Sequence, residues 1–236
     1  MKSTTDIKAI IFDYGGTIDS DAEHWSEIIW RGYLHAGVDV HKDDFLDAYV
    51  SAERYLAANL PMLKEMNFLQ LMCDKVASQL RFLSQSGCVI DDIDAVVADV
   101  ARFCYDSAKQ SVERNRGVLE TLMTRYDLAV VSNFYGNLRM VLADFGILRY
   151  FKVVIDSGEV GVRKPDTAIF EMALDALGYA PDEVLVVGDS YKNDIAPALV
   201  LGCNATWLKG TGWTEESGCE EYAQIIRNLQ NLLLSH

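Results

Sequence analysis

Four consecutive apolar residues, Ala9 to Phe12, run straight into Asp13 and, after Tyr14, into the pair Gly15-Gly16. An unbroken apolar run cut off by a turn sequence reads as a strand buried on both faces that ends at Asp13. Such strands belong to parallel sheets covered by helices on either side, and in those sheets ligands gather at the C-terminal edge. Asp13 therefore stands where chemistry is expected. Taken alone it has a plainer reading, because strands often end in Asp-Gly-type turns for conformational reasons.

The next stretch is not the crossover helix that a parallel sheet demands. From Asp21 to about Gln110 apolar residues recur at helical spacing, as in Trp25, Ile28, Ile29 and Tyr33, then Phe45, Tyr49, Ala52 and Leu56, then Phe68, Leu71, Met72 and Val76, then Val96, Val97, Val100 and Phe103. The pattern predicts a block of helices with breaks near Gly37, Asn59-Leu60-Pro61 and Gly87. After Gly117 helices and short apolar strands alternate: strands over 128–132, 153–156, 184–189 and 205–208, helices over 118–126, 137–145 and 166–177, one ending at Gly202, and a closing helix over 222–234. This alternation implies right-handed crossovers and a doubly wound parallel α/β sheet. The two chain ends, 1–19 and 113–236, would build that core, with 20–112 inserted as an all-helical second domain. Hinges are expected at Ile18 to Asp21 and Gln110 to Arg116.

With 236 residues, half of them hydrophobic, the chain can bury a full core in one large or two small domains. A net charge of −14 argues against nucleic acid or an anionic membrane surface as partner, since both would repel it. The five cysteines, Cys73, Cys88, Cys104, Cys203 and Cys219, are odd in number and include no Cys-x-x-Cys, so they read as core residues in a reducing compartment. No signal-like run opens the sequence, and a soluble cytoplasmic protein is the expectation.

Further strands deliver polar groups to the same edge as Asp13: Ser132 and Asn133; then Arg163, Lys164, Pro165 and Asp166 in the loop after the third strand; then Asp189 and Ser190, with Asn193 and Asp194 beyond. Each has a bland account as a turn or a helix cap. Together they supply a carboxylate nucleophile, a hydroxyl, a lysine and oxygen ligands for a hard cation, the set that phosphoryl transfer requires.

In that order and context the chain resembles the haloacid dehalogenase superfamily over its whole length. The matching stretches are FDYGGT, VVSN, VRKPD and VVGDSYKND. The resemblance implies a Rossmann-like core with an inserted helical cap, and Mg²⁺ in the core site. It implies Asp13 as the nucleophile that forms an aspartyl-phosphate, with Ser132, helped by Asn133, binding the phosphoryl group and Lys164 bridging the two. Asp13, Asp189 and the Gly15 carbonyl would hold the metal, with Asp194 holding its waters or Lys164. The substrate would be a small phosphorylated metabolite chosen by the cap, where Trp25, Trp30, Tyr33, Tyr55, Met62 and Phe68 either line a pocket or fill the core.

One position departs from the family's phosphatases. Their second Asp, the general acid and base, is here Gly15, and a positioned acid or base is worth about 10²- to 10⁴-fold in rate. A side chain could be lent by Tyr14, Asp19, Asp21, Glu23 or His24. Alternatively, the chain resembles phosphonoacetaldehyde hydrolases, with Lys64 or Lys75 forming a Schiff base, or the metal-free 2-haloacid dehalogenases. A non-catalytic relative that binds a phosphorylated ligand or a partner is the remaining reading. The segment Lys209-Gly210-Thr211-Gly212-Trp213 either frames the site's mouth or is a surface loop.

Overall fold

The computed structural model describes residues 6–210 and 224–235. Strand β1 (Ala9–Phe12) is flanked by β2 (Asp127–Ser132) and β4 (Val184–Gly188). Outside these lie β3 (Val153–Asp156) on one side and β5 (Asn204–Leu208) and β6 (Gln224–Ile226) on the other, giving the order β3-β2-β1-β4-β5-β6. All five pairings are parallel. The strand period of two divides the apolar residues between two cores. Ile10, Phe12, Leu128, Val130, Leu185 and Val187 face one, and Ala9, Ile11, Ala129, Val131, Val184 and Val186 face the other.

The second core is covered by α8 (Ala168–Leu177), which ends at Gly178 with φ 77°, and by α9 (Ala196–Leu201). The first core runs without interruption into the helical block, made of α1 (Trp25–His35), α2 (Lys42–Ala58), α3 (Leu60–Leu63), α4 (Phe68–Gln85) and α5 (Ile93–Leu122). Breaks fall at the three places the sequence indicates, near Gly37, Asn59 and Gly87, and a further one separates α3 from α4. Gly37 and Gly87 take φ values of 70° and 95°, which a side chain would resist, and Asn67 and Gln70 cap the start of α4 reciprocally. The remaining helices are α6 (Leu138–Asp144), α7 (Ser157–Val160) and α10 (Leu232–Ser235).

Two expectations are corrected. Gln110 to Arg116 is not a break but lies inside α5, which continues from the helical block to the sheet and makes one element of the region expected to hold a hinge and a separate helix. Nothing there stops it, since Ser111, Val112 and Asn115 are buried in a continuous stripe and Gly117 keeps an ordinary φ. Of the closing helix expected over 222–234, the described residues from 224 on form instead strand β6, then a 3-10 turn at Leu229–Asn231 and the short α10. Gln224, Ile225 and Ile226 pair with Thr206, Trp207 and Leu208 because the open edge of β5 offers unpaired backbone groups, and β-branched isoleucines suit a strand. Thr211, Gly212, Trp213 and Cys219 lie outside the described residues.

Candidate active site

Asp13 continues β1 by one residue, its N–H donating to the Val187 carbonyl at 2.9 Å. The chain then turns sharply: the Ile18 N–H bonds back to the Tyr14 carbonyl at 2.9 Å, and the Gly16 N–H donates to Asp19 Oδ1 at 2.8 Å. The two glycines differ in what they permit. Gly16 has φ +93° and a Cβ there would lie 2.4 Å from Asp189 Oδ2, so only glycine fits. Gly15 has nothing within 4 Å of an added Cβ and no positive φ, so its missing side chain is a chemical absence without a steric cause.

Lys164 binds this turn to the other strand ends. Its buried Nζ donates to Asp13 Oδ1 at 2.7 Å, to Asp194 Oδ1 at 2.5 Å and to the Val131 carbonyl at 3.1 Å. Burial works to lower its pKa, but the charges of Asp13 and Asp194 outweigh that and keep the ammonium protonated. Asp194 also accepts from the Ser190 N–H at 3.0 Å, and the Thr17 hydroxyl donates to Asp189 at 2.9 Å. Asp13, Asp189 and Asp194 each offer an oxygen within 4.8 Å of the others.

Three carboxylates against one ammonium leave a net negative charge in a largely buried place. Burial, then the charges of Asp13 and Asp194, push the Asp189 carboxyl well above its ordinary range. Burial raises Asp194 to about 6 against the pull of Lys164. Unpaired carboxylates crowded together are costly, and a hard cation with oxygen ligands removes that cost, so the donor set fits Mg²⁺.

Ser132 is the last residue of β2, buried, in register with Asp156. The Asn133 side chain is engaged with Lys164. It makes a two-way clamp on the Lys164 backbone, donating to the carbonyl at 3.0 Å and accepting from the N–H at 2.9 Å. Asn133 thus places Lys164, and no property of the sequence reports that pairing. Asp156 and Ser157, to which the sequence reading gave no role, hold the loop beyond Asn133. The Asp156 carboxylate accepts from the N–H groups of Gly136, Leu138 and Gly158 at 2.9, 3.0 and 2.8 Å, while Ser157 Oγ bonds both backbone groups of Phe134. The one available signal was an Asp at a strand's C-terminal end.

Four of the five candidate lenders of an acid are turned elsewhere. The buried Tyr14 hydroxyl has no hydrogen-bond partner among the described residues and senses Asp19, Asp144 and Tyr105 rather than the lysine. Asp21 pairs with Arg114 and Asn115, Glu23 with Arg31, and His24 Nδ1 caps α1 at Ser26. Asp19 is the exception. It is buried, accepts from Gly16 and from Trp25 Nε1 at 3.0 Å, and burial lifts its carboxyl to about 7, with the Asp13 charge contributing.

The sequence profile of haloacid dehalogenase-like hydrolases matches residues 7–202. The chain belongs to this family. The haloacid dehalogenase-like hydrolase domain-containing protein 3 of Xenopus laevis is 31% identical over 188 residues, spanning 78% of this chain and 74% of that one. A phosphoserine phosphatase of Thermus thermophilus is 42% identical over 82 residues, but the match spans only 34% of this chain and 33% of the enzyme. Among solved structures, a magnesium-bound Bacillus subtilis protein described as the HAD-hydrolase YfnB aligns over 98% of this chain and 99% of its own, with TM-score 0.61 and 18% identity. A dehalogenase in an intermediate complex aligns over 98% of each chain with TM-score 0.66 and 19% identity. At such identities these two establish the fold alone. As a member of this family the chain is a hydrolase, and no helix among its described residues is long and apolar enough to cross a membrane.

Proposed function

We propose that this hydrolase is a Mg²⁺-dependent phosphatase acting on a small phosphate monoester, with 1–19 and 113–236 as its catalytic core and 20–112 as its cap. The observation that carries this reading is the arrangement of Asp13, Asp189 and Asp194 within 4.8 Å of one another, with Lys164 bridging Asp13 and Asp194. Relatives named as phosphatases support it, including a glyceraldehyde 3-phosphate phosphatase of Pyrococcus furiosus that is 37% identical over 98 residues.

Asp13, Asp189, Asp194 and the Gly15 carbonyl would hold Mg²⁺, which when bound offsets charge on the phosphoryl oxygens. Lys164, on Asp13 Oδ1, orients the nucleophile and Ser132 binds the phosphoryl group. A carboxylate oxygen of Asp13 forms a bond to phosphorus as the ester P–O bond breaks, and the leaving oxygen takes a proton. Water then attacks the aspartyl-phosphate, loses a proton, and releases inorganic phosphate with Asp13 regenerated. Gly15 supplies neither proton transfer, so the enzyme favours leaving groups that depart without an acid; of the candidate lenders, Asp19 is the one whose carboxyl burial lifts to about 7.

The Schiff-base alternative loses support at Lys75, which is buried and ion-paired to Glu53 with its amine held protonated: burial acts to lower its pKa, and the Glu53 charge outweighs it. An attacking lysine must be neutral. The metal-free dehalogenase reading leaves the excess carboxylate charge unexplained. The deciding experiment assays an aryl phosphate and small alkyl phosphates with and without Mg²⁺. Aryl turnover should require the metal and vanish in Asp13→Asn, and Gly15→Asp should raise alkyl turnover more than aryl. Turnover that survives Asp13→Asn ends the nucleophile assignment.

A further inference from the structure

Around the site, Asp13, Ser132 and Lys164 are buried, whereas Gly15, Asn133, Phe134 and Tyr135 stay half-buried. The phosphoryl end therefore lies deep and the open side faces the loop that follows Ser132. From the core that loop is fixed by Asp156 and Ser157, as described above. From the helical block it is fixed by Tyr135, whose hydroxyl donates to Glu53 Oε2 of α2 at 2.6 Å and accepts from Lys75 Nζ of α4 at 3.3 Å. Lys75 and Glu53 are themselves an ion pair, and the Lys75 ammonium lies 5.1 Å and 5.7 Å from the ring centroids of Tyr49 and Tyr135. Nearby, Asn137 Nδ2 donates to the Met66 carbonyl at 2.9 Å.

An apolar contact here would hold the two parts together as well, because a desolvated charge gains little net stability from pairing. What the polar contact adds is a single geometry. Apolar surfaces slide over one another, whereas a hydroxyl shared between a carboxylate and an ammonium has one place to sit.

We propose that Tyr135 is a positioning residue that, through Glu53 and Lys75, locks the helical block onto the loop over 134–137 and so sets the leaving-group side of the site. This rests on the assignment of Asp13 and Ser132 to the phosphoryl group. The phosphoryl side, held by Lys164 and Asn133, does not depend on it.

The test compares wild type with Tyr135→Phe, Glu53→Gln and the double variant. Tyr135→Phe keeps the ring against Phe134 and removes only the hydroxyl. Aryl phosphate kcat/KM should fall about 10-fold in Tyr135→Phe, and the double variant should be no worse than Glu53→Gln, which removes the same carboxylate from the hydroxyl and the Lys75 ion pair besides. The inhibition constant of inorganic phosphate, which reports the phosphoryl side, should stay within about two-fold of wild type. Losses that multiply in the double variant, or phosphate binding that weakens in parallel, overturn the proposal. Should Glu53→Gln fail to fold, Glu53→Asp withdraws the same charge from the hydroxyl and serves in its place. Amide exchange over 133–138 gives a readout without turnover, so that an inactive wild type refutes the phosphatase reading alone. Faster exchange in Tyr135→Phe upholds the contact, and unchanged exchange overturns it.

Discussion

The molecule buries two charged clusters, one at the sheet edge and one where the helical block meets the loop after β2, and they are built on opposite principles. At the sheet edge three carboxylates share one ammonium, and Lys164 satisfies Asp13 and Asp194 while Asp189, among the described residues, accepts from the Thr17 hydroxyl. At the junction one ammonium, one carboxylate and one phenol satisfy one another, with Lys75 5% exposed and Glu53 34%. A balanced cluster holds parts together, whereas a cluster left with excess charge is organised around something that arrives.

The two lysines should differ most when their charge is removed. Lys164→Met strands buried carboxylates and should cost about 3–5 kcal/mol of stability in metal-free buffer. Lys75→Met leaves Glu53 near water and should cost about 1 kcal/mol. Urea unfolding of both measures the difference, and equal losses would erase the distinction.

Magnesium sharpens it. At a concentration 100 times its dissociation constant a ligand that binds only the folded chain adds about 2.7 kcal/mol, and the gain should disappear in Asp189→Asn. pH adds a second signature. Burial raises Asp19 to about 7 and Asp194 to about 6, against 3.8 for an exposed aspartate. Between those values the folded chain holds more protons than the unfolded one, so metal-free stability should fall as pH rises from about 4 to 7. Added Mg²⁺ favours the ionised carboxylates and should flatten that slope in thermal unfolding scans.

The smallest expected effect concerns a polar atom in neither cluster. The Tyr14 hydroxyl is buried without a partner among the described residues, so Tyr14→Phe removes an uncompensated group and should leave stability unchanged or raise it by about 1 kcal/mol, with turnover unaltered. A loss of turnover would mean that Tyr14 takes part in proton transfer.

Much of this is legible in the sequence alone. Strands ending at Asp13, Ser132 and Asp189 announce themselves as apolar runs stopped by polar residues, and parallel pairing then brings those ends to one edge. The helical breaks were legible for the same local reason, glycine and asparagine at turns. Boundaries were less so. Nothing local distinguishes α5 as one helix from two, because its continuity through 110–116 depends on the surfaces its stripe finds to pack against. Likewise Gln224 to Ile226 became a strand because β5 presented a free edge.

The sequence by itself determined the doubly wound core, the helical insert and the residues that meet at the sheet edge, since all follow from short-range periodicity and the geometry of parallel strands. Only the tertiary structure decided how those residues are used. Asn133 clamps the Lys164 backbone, Asp156 binds three N–H groups of a loop, and Tyr135 reaches Glu53 and Lys75 across 82 and 60 positions of chain. Partners so far apart in sequence are chosen by packing, and no local pattern encodes which polar group will lie within 3 Å of another.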